Sequence, residues 1–360
     1  YVCGECFLVQ LEEWEAPENI FGDYAYFSSY SDSWLQHVKS YVTRVIERFA
    51  LGANSKVVEI ASNDGYLLQY FVTRGVPVLG IEPAANCARA AEERDVRTIT
   101  AFFNSQTAQS IAADLLLGNN VLAHVPDLND FVKGLRIALK QQGVITMEFP
   151  HLLQLIEENQ FDTIYHEHFS YFSFMTVQRI FAAHGLTIHD VEQLTTHGGS
   201  LRIHAQRTDS GTQHVSVNVA NLLDVERKAG IDRIETYRRF AAAAQKVKRD
   251  LLRFLIDAKE AGKRVAAYGA PAKGNTLLNY CGIRTDLLPF TVDRSPHKQG
   301  TLLPGTRIPV HAPDDLIGAK PDYVLILPWN IKDEITQQMS CVREWGGRFV
   351  VPIPRLQVLD

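Results

Sequence analysis

Val57-Val58-Glu59-Ile60-Ala61-Ser62-Asn63-Asp64-Gly65 is a short apolar run that ends on an acid and turns, through small and polar residues, into a helical pattern. A strand-to-helix joint with an acid and a glycine at the turn is where open parallel α/β sheets hold nucleotides. The next apolar run, Val76-Pro77-Val78-Leu79-Gly80-Ile81, ends on Glu82, 23 residues beyond Glu59. In a parallel sheet both acids stand at the carboxyl ends of adjacent strands, where a ribose can be hydrogen-bonded.

The glycine pattern narrows the ligand. G-x-G-x-x-G is absent, and Ala61, Asn63 and Gly65 stand where glycines would alternate. Close backbone approach to a pyrophosphate is thereby disfavoured. The turn suits a ligand with a ribose and an adenine but no phosphate, such as S-adenosylmethionine, better than it suits NAD.

Outward from this turn, apolar runs at 56–61, 77–81, 98–100, 114–117 and 144–149 read as strands, with helices at 65–74, 84–94 and 128–140 between them. A helix at 176–184 leads to strands at 187–192 and 200–206, joined by Thr195-Thr196-His197-Gly198-Gly199. These last two predict an antiparallel hairpin on the edge of a parallel sheet. The result is a central, Rossmann-like, seven-stranded methyltransferase sheet, since plain dehydrogenases more often finish on a sixth parallel strand. Residues 217–262 read as one charged, alanine-rich helical linker. Beyond it, a strand and turn at 264–274 and strands at 287–292, 323–327 and 348–352 predict a smaller Rossmann-like α/β domain. The expected organisation is a lead segment at 1–34, the sheet domain at 35–216, the linker at 217–262 and the second domain at 263–360.

A length of 360 residues accommodates two ordinary domains. A net charge of −5 gives no basic footprint for nucleic acid, and no apolar run approaches the ~20 residues that cross a membrane. The first residues lack a signal-peptide pattern, so a cytoplasmic enzyme is expected; oligomeric state is not legible. Five scattered cysteines make no disulfide framework. Only Cys3 and Cys6 are paired, as C-x-x-C, either half of a four-cysteine zinc site whose other half lies upstream or two incidental thiols.

The densest chemistry is Thr163-Ile164-Tyr165-His166-Glu167-His168-Phe169-Ser170-Tyr171. It follows the fifth strand and so belongs at the same sheet edge as Glu59. Histidine takes protons near neutrality, and a neighbouring acid or phenol fixes its tautomer, which points to acid–base catalysis. H-x-H with Glu167 and His124 is the metal alternative. Gly118-Asn119-Asn120-Val121-Leu122-Ala123-His124 follows the fourth strand; its asparagines are either helix caps or acceptor-binding groups, with His124 a second candidate base. In the second domain, Tyr268-Gly269-Ala270-Pro271-Ala272-Lys273-Gly274-Asn275 places small residues and a lysine at a helix start, favouring the diphosphate of a nucleotide sugar over a structural turn. Asp293-Arg294-Ser295-Pro296-His297-Lys298 adds cations nearby. The aromatic stretch at 21–34 is a packed connection or a lid.

Taken in order, these motifs, with Glu148-Phe149-Pro150-His151, resemble the S-adenosylmethionine-dependent C-methyltransferases of nucleotide-activated keto-deoxysugars, over nearly the whole chain. The resemblance implies an amino-terminal zinc module, to which Cys3 and Cys6 correspond, a central methyl-donor domain and a carboxyl-terminal α/β domain that shares the sugar nucleotide, dTDP being favoured. It implies that Glu59, Ala61, Asn63, Gly65, Glu82, Pro83 and Asn119 hold the donor, with Glu82 on its ribose. His168 becomes the expected base, oriented by Glu167, with Tyr165, His124 and Asn120 stabilising an enolate. Tyr24, Tyr26, His166, Gly269, Lys273, Gly274 and Asn275 are expected at the acceptor. The rival readings are an NAD-dependent nucleotide-sugar oxidoreductase and a non-catalytic sugar-nucleotide binding protein.

Overall fold

The computed structural model describes residues 1–24 and 27–359, so Tyr26 lies outside the described residues. The chain divides into two compact units: unit 1 is Tyr1–Leu152 with His166–Asp232, and unit 2 is Leu153–Tyr165 with Arg233–Asp360.

Unit 1 is built on seven strands: β1 (Val57–Ile60), β2 (Val78–Ile81), β3 (Thr98–Ile99), β4 (Ala113–Asn119), β5 (Leu139–Pro150), β6 (Leu186–Leu194) and β7 (Ser200–Arg207). Their spatial order is β3-β2-β1-β4-β5-β7-β6. Pairings from β3 across to β5 are parallel; β5–β7 and β7–β6 are antiparallel. The expected sheet and edge hairpin are both present. Helices α1 (Asp32–Arg48), α2 (Ala85–Glu92), α3 (Leu128–Ala138) and α4 (Phe174–Ala183) join or cover the strands. The helix expected at 65–74 is reduced to Gln69–Val72, because the turn that precedes it runs on through Leu68.

Alternation along the central strands sorts the core into two layers. Val58, Ile60, Leu116, Ile145 and Met147 pack with α3 and α4. Val57, Leu115 and Leu117 pack on the other face with Val38, Val42 and Val45 of α1. On that second face the strands change character toward the hairpin. Thr146 and Glu148 of β5, Arg202 and His204 of β7, and Asp190 of β6 are polar and buried, and Glu148 stands opposite Arg202, which stands opposite Glu192.

Helix α1 meets this polar field with residues spaced at four, three and four. His37 Nε2 lies 3.0 Å from Glu148, Tyr41 Oη 2.5 Å from Thr146 Oγ1, and Arg44 donates to Glu192 at 3.2 Å. Arg48 completes the stripe with Asp190 at 2.7 Å. The spacing places all four on one helix face. The helix starts where it does because Ser31 Oγ accepts from Trp34 N–H.

Residues 217–262 are not one helix. They form α5 (Val217–Ala229) in unit 1 and α6 (Ile234–Glu260) in unit 2, broken at Gly230, whose φ of +76° ends α5 in a left-handed cap. Composition suggested continuity, but one glycine at a cap overrides it. Glu226 of α5, fully buried, caps α4 by accepting from Phe174 N–H (2.6 Å) and Met175 N–H (2.8 Å), and it also pairs with His151 (2.7 Å).

Unit 2 holds β8 (Val265–Tyr268), β9 (Thr291–Val292), β10 (Val310–His311), β11 (Tyr323–Ile326), β12 (Arg348–Val351) and β13 (Gln357–Leu359) in the order β10-β9-β8-β11-β12-β13. All pairings are parallel except β12–β13. Two strands, β10 and β13, had no counterpart in the sequence reading, being two and three residues long. Ala244, Val247, Leu251 and Leu255 of α6 and Leu277 and Leu278 of α7 (Ala272–Cys281) bury the sheet. Among the described residues no helix is long and apolar enough to cross a membrane.

The polar face of unit 1 makes its stability pH-dependent. Burial, with the charge of Arg48 and the neighbouring His204, holds the His189 imidazole down at about 4. Below its unfolded value near 6.5 the unfolded chain binds a proton that the folded chain refuses, so stability falls from about pH 6.5 to 4. Despite the opposing effect of burial, its bonds to His204 and the nearby arginines hold the Glu192 carboxyl down at about 2, a contribution present above ~4.5 and lost only as pH falls toward that value. Urea titrations between pH 8 and 4 are therefore expected to show a loss of stability beginning near pH 6.5 that His189→Phe reduces; a flat profile to pH 5 would contradict it.

Candidate functional site

The carboxyl ends of β1, β2 and β4 bring the expected donor residues together. Ala61, Asn63 and Gly65 have φ of +55°, +48° and +75°. The three alternating positions therefore adopt the left-handed conformation that glycine favours, although two of them are not glycine. A non-glycine residue pays roughly 1 kcal/mol for it, so the neighbours must hold it. Asn63 N–H donates to Glu82 Oε2 at 2.9 Å, and Asn63 Oδ1 accepts from Ser28 N–H and Asp64 N–H, both at 2.9 Å. The other Glu82 oxygen accepts from Ala84 N–H at 2.9 Å, just beyond Pro83.

Glu82 thus braces two loops, and each of its oxygens keeps a second acceptor position for a ribose hydroxyl. Gly65 packs the turn on α2: a Cβ there would lie 3.3 Å from Ala91. At Gly80, on β2, a Cβ would run into the Ser62 side chain and lie 2.9 Å from Thr98 Oγ1.

The atoms left over describe the ligand. Both carboxylate oxygens of Glu59, Ser62 Oγ and Asn120 Oδ1 are buried without a hydrogen-bond partner among the described residues. Glu59 is fully buried, and burial pushes its carboxyl well above the usual range, with the Tyr66 hydroxyl beside it. Burial raises Glu82 as well. Orphaned acceptors of this kind need a ligand rich in N–H and O–H donors. The amino and ribose hydroxyl groups of S-adenosylmethionine, with its positive sulfonium, meet that need.

Asn120 also has positive φ, +53°, and its N–H donates to the Glu148 carbonyl at 2.7 Å. The turn that follows, Leu122–His124, brings His124 against His168, ring centroids 4.8 Å apart, because Phe169 N–H donates to Ala123 O at 2.8 Å. Tyr171 meets His168 edge-on at 5.8 Å, and Phe21 stacks on His124 at 5.3 Å. Burial, and secondarily His168, hold the His124 imidazole well below its ordinary range, so it is neutral near pH 7. Burial raises the half-buried Glu167 carboxyl. His166 is exposed. Tyr24 is clasped through its main chain: Tyr24 N–H donates to Asn86 Oδ1 at 3.3 Å and Asn86 Nδ2 donates to Tyr24 O at 2.8 Å.

Tyr165, Gly269, Lys273, Gly274 and Asn275 belong to unit 2. There the β8–β11 junction is the point where strand order reverses, the usual ligand crevice of such sheets. Gly269 has φ +92°, and Gly274 lets α7 approach the sheet, a Cβ there lying 2.7 Å from Leu327. Ala270 N–H, however, already donates to Asp293 at 2.7 Å. Lys273 Nζ donates to Asn330 at 2.9 Å and lies 4.7 Å from the Trp329 ring centre, while Trp329 Nε1–H donates to buried Asp162 at 2.7 Å. Burial lifts the Asp162 carboxyl to about 6 and lowers the Lys273 ammonium. Asn275 Oδ1 accepts from Asn279 Nδ2 at 3.3 Å. The loop has the expected shape, but its first N–H and its ammonium are already engaged.

Backbone N–H groups of Cys6 and Glu5 lower the Cys3 thiol. Among the described residues, no three His, Cys, Asp or Glu side chains come together as a metal group, so no third or fourth ligand of the kind a structural zinc requires stands beside Cys3 and Cys6. The same absence separates His124, His166, Glu167 and His168 from the metal alternative.

Sequence reading missed His37, Tyr66 and Arg202 and placed Trp34 only within the aromatic stretch at 21–34. Trp34 stacks on His37 at 5.0 Å and on Tyr66 at 6.2 Å. The available signal was the spacing of His37, Tyr41, Arg44 and Arg48, a polar stripe beside the apolar one.

Two family models cover most of the chain, meeting inside the β6–β7 hairpin of unit 1. Residues 34–191 match a methyltransferase domain model and residues 195–354 a C-methyltransferase C-terminal domain model. The chain is 39% identical to the C-methyltransferase NovU of Streptomyces niveus over all of this chain and 86% of that protein. Among solved structures, the magnesium protoporphyrin IX methyltransferase of Synechocystis PCC 6803 with bound S-adenosylhomocysteine is 16% identical, covering 48% of this chain and 83% of its own at a TM-score of 0.41. The PH0226 protein of Pyrococcus horikoshii OT3 is 16% identical, covering 53% and 97% at 0.41. Likenesses at that level add nothing to the assignment, which rests on the full-length identity and the two domain models. These set aside the NAD-dependent oxidoreductase, and the chain belongs to the C-methyltransferase family as an S-adenosylmethionine-dependent methyltransferase.

Proposed function

We propose that the acceptor is a nucleotide-activated keto-deoxysugar, with dTDP as the favoured nucleotide, methylated at the carbon beside its ketone with His168 as the base. The observation that carries this reading is the imidazole pair: His124, half-buried and neutral, with its ring tilted against that of His168 on the strand edge that also carries the donor turn.

A carbon beside a ketone becomes nucleophilic only after losing a proton, and the charge then moves to the ketone oxygen. S-adenosylmethionine supplies the electrophilic methyl group. His168 takes the proton, and Glu167 holds the resulting imidazolium. Neutral His124 has one N–H to give and so suits the enolate oxygen, and its lowered basicity leaves the proton to His168. Tyr165 offers a second donor. Asn120 presents a buried carboxamide whose Oδ1 and Nδ2 exchange by a flip, so it accepts from a sugar hydroxyl or donates to the enolate. Tyr24 covers the sugar, with His166 at its edge. In unit 2, Lys273, with Gly269, Gly274 and Asn275, reads the diphosphate; its position at the strand-order reversal supports this, and its present bonds to Asn330 and Trp329 must yield to the anion. A zinc bound at Cys3 and Cys6 would be structural and needs two further ligands.

Three outcomes test these assignments. His168→Gln is expected to lower methyl transfer by at least about 10²-fold and to stop deuterium exchange at the acceptor carbon. It should leave S-adenosylhomocysteine binding intact, and retained exchange removes His168 from the role of base. Lys273→Met is expected to raise the acceptor KM about tenfold or more, the worth of a hydrogen bond to a charged group, with donor KM unchanged. Mass spectrometry over a panel of nucleotide keto-sugars reads both, and no methyl gain on any of them contradicts the acceptor class. Gly80→Ala pushes on Ser62 and the donor turn, and overpacking of about 1–3 kcal/mol predicts weaker binding of S-adenosylhomocysteine by calorimetry.

A further inference from the structure

Glu148 ends β5 opposite Asn119 of β4. It is fully buried, yet its carboxylate sits among three side chains from three other elements. Arg202 Nη2 of β7 donates to Oε2, Thr196 Oγ1 of the β6–β7 turn donates to Oε1 at 2.9 Å, and His37 Nε2 of α1 lies 3.0 Å from Oε2 and 2.9 Å from Arg202 Nη2. Despite burial, these partners hold the Glu148 carboxyl below its usual range.

From His37 the contacts return toward the donor turn. The imidazole stacks on Trp34 with the planes 19° apart, and Trp34 stacks on Tyr66 at 26°. Tyr66 Oη accepts from Asn119 Nδ2 at 3.4 Å. Asn119 is the strand partner of Glu148, so the path closes on itself: Glu148, His37, Trp34, Tyr66, Asn119 and Glu148 again. The Glu148 carbonyl meanwhile holds the left-handed Asn120. The unpartnered oxygens of Glu59 and Asn120 belong to this same end of β1 and β4.

We propose that Glu148 is a positioning residue of the methyl-donor site, acting through His37 to fix the Trp34–Tyr66 wall against the donor turn. The proposal needs only the donor, not the acceptor. A buried carboxylate can fix a wall in this way because each partner it loses leaves a charge or a donor buried without compensation, which penalises every other arrangement of the ring. The remaining rungs of α1, Arg44 with Glu192 and Arg48 with Asp190, lie about two and three turns beyond His37 and hold the helix on the hairpin.

The test is calorimetric titration with S-adenosylhomocysteine, which reads the donor site without turnover and so stands whether or not the keto-sugar reading survives. His37→Phe keeps a ring on Trp34 but loses Nε2; its Kd is expected to rise about tenfold, or about 1.4 kcal/mol, with donor KM rising in parallel and kcat nearly unchanged. His37→Gln, whose amide offers both a donor and an acceptor, is expected to recover most of that loss. Arg44→Met is expected to lower the melting temperature without moving Kd. Wild-type affinity in His37→Phe overturns the proposal, and so does an Arg44→Met variant that loses as much donor affinity as His37→Phe, since that marks a loss of general stability. Glu148→Gln, where it folds, is expected to weaken donor binding beyond either His37 variant; where it does not fold, the two His37 variants and Arg44→Met decide the matter.

Discussion

The buried pairing of Glu148 with Arg202 is the constraint around which unit 1 is arranged. Both side chains are essentially without solvent exposure, and removing water from two such charges costs several kcal/mol per ion unless their remaining hydrogen-bond positions are filled. Helix α1 and the β6–β7 turn fill several of them. His37 and Thr196 complete the carboxylate, and the Tyr41 ring lies 4.4 Å from the guanidinium carbon of Arg202. The pair is poor evidence for net stability, since apolar residues of similar size often do as well, but it is strong evidence for a unique arrangement: breaking one partner of such a pair costs about 3–5 kcal/mol. The register of the hairpin and the seat of α1 are fixed together.

That fixity matters because the chemistry sits at the end of the same strands. A strand edge is a rigid place from which to aim side chains, and the donor turn, Asn120 and the 122–124 turn all leave from β1 and β4 within a few residues. Two devices then hold conformations that the local sequence would not choose: Glu82 under Asn63 and the Glu148 carbonyl on Asn120. Each exchanges local strain for a defined direction of a polar group. The burial that leaves Glu59 without partners and keeps His124 neutral follows from the same packing.

Much of this was legible from residues alone where period and punctuation agree. Strands β1, β2, β4 and β5 were read within a few residues because each is a continuous apolar run between turn residues, and the hairpin because two β-rich runs flank Gly198-Gly199. The helix at 65–74 and the single helix at 217–262 were misread for a common reason. Helical composition says nothing about where the ladder starts or stops: an irregular turn runs through Leu68 before the first, and the left-handed Gly230 ends α5 within the second. In the donor turn the absent glycines gave the right ligand, although Ala61 and Asn63 take up glycine's conformation after all. The preference against pyrophosphate rests on their side chains, not on the backbone path.

By itself the sequence determined the class of sheet, the sheet edge at which a donor binds and the segments that carry titratable groups, because strand periodicity, turn residues and the density of histidine and carboxylate are local properties. Only the tertiary structure decided which of those groups are charged and which are already engaged. His124 is neutral because Phe21 and His168 bury it, Lys273 is turned onto Trp329 and Asn330, and Glu148, quoted in sequence only as part of a motif, is joined to residues 111 positions before it and 54 after it. Protonation and pairing depend on solvent exclusion and on neighbours from distant parts of the chain, and neither exists until the chain has folded.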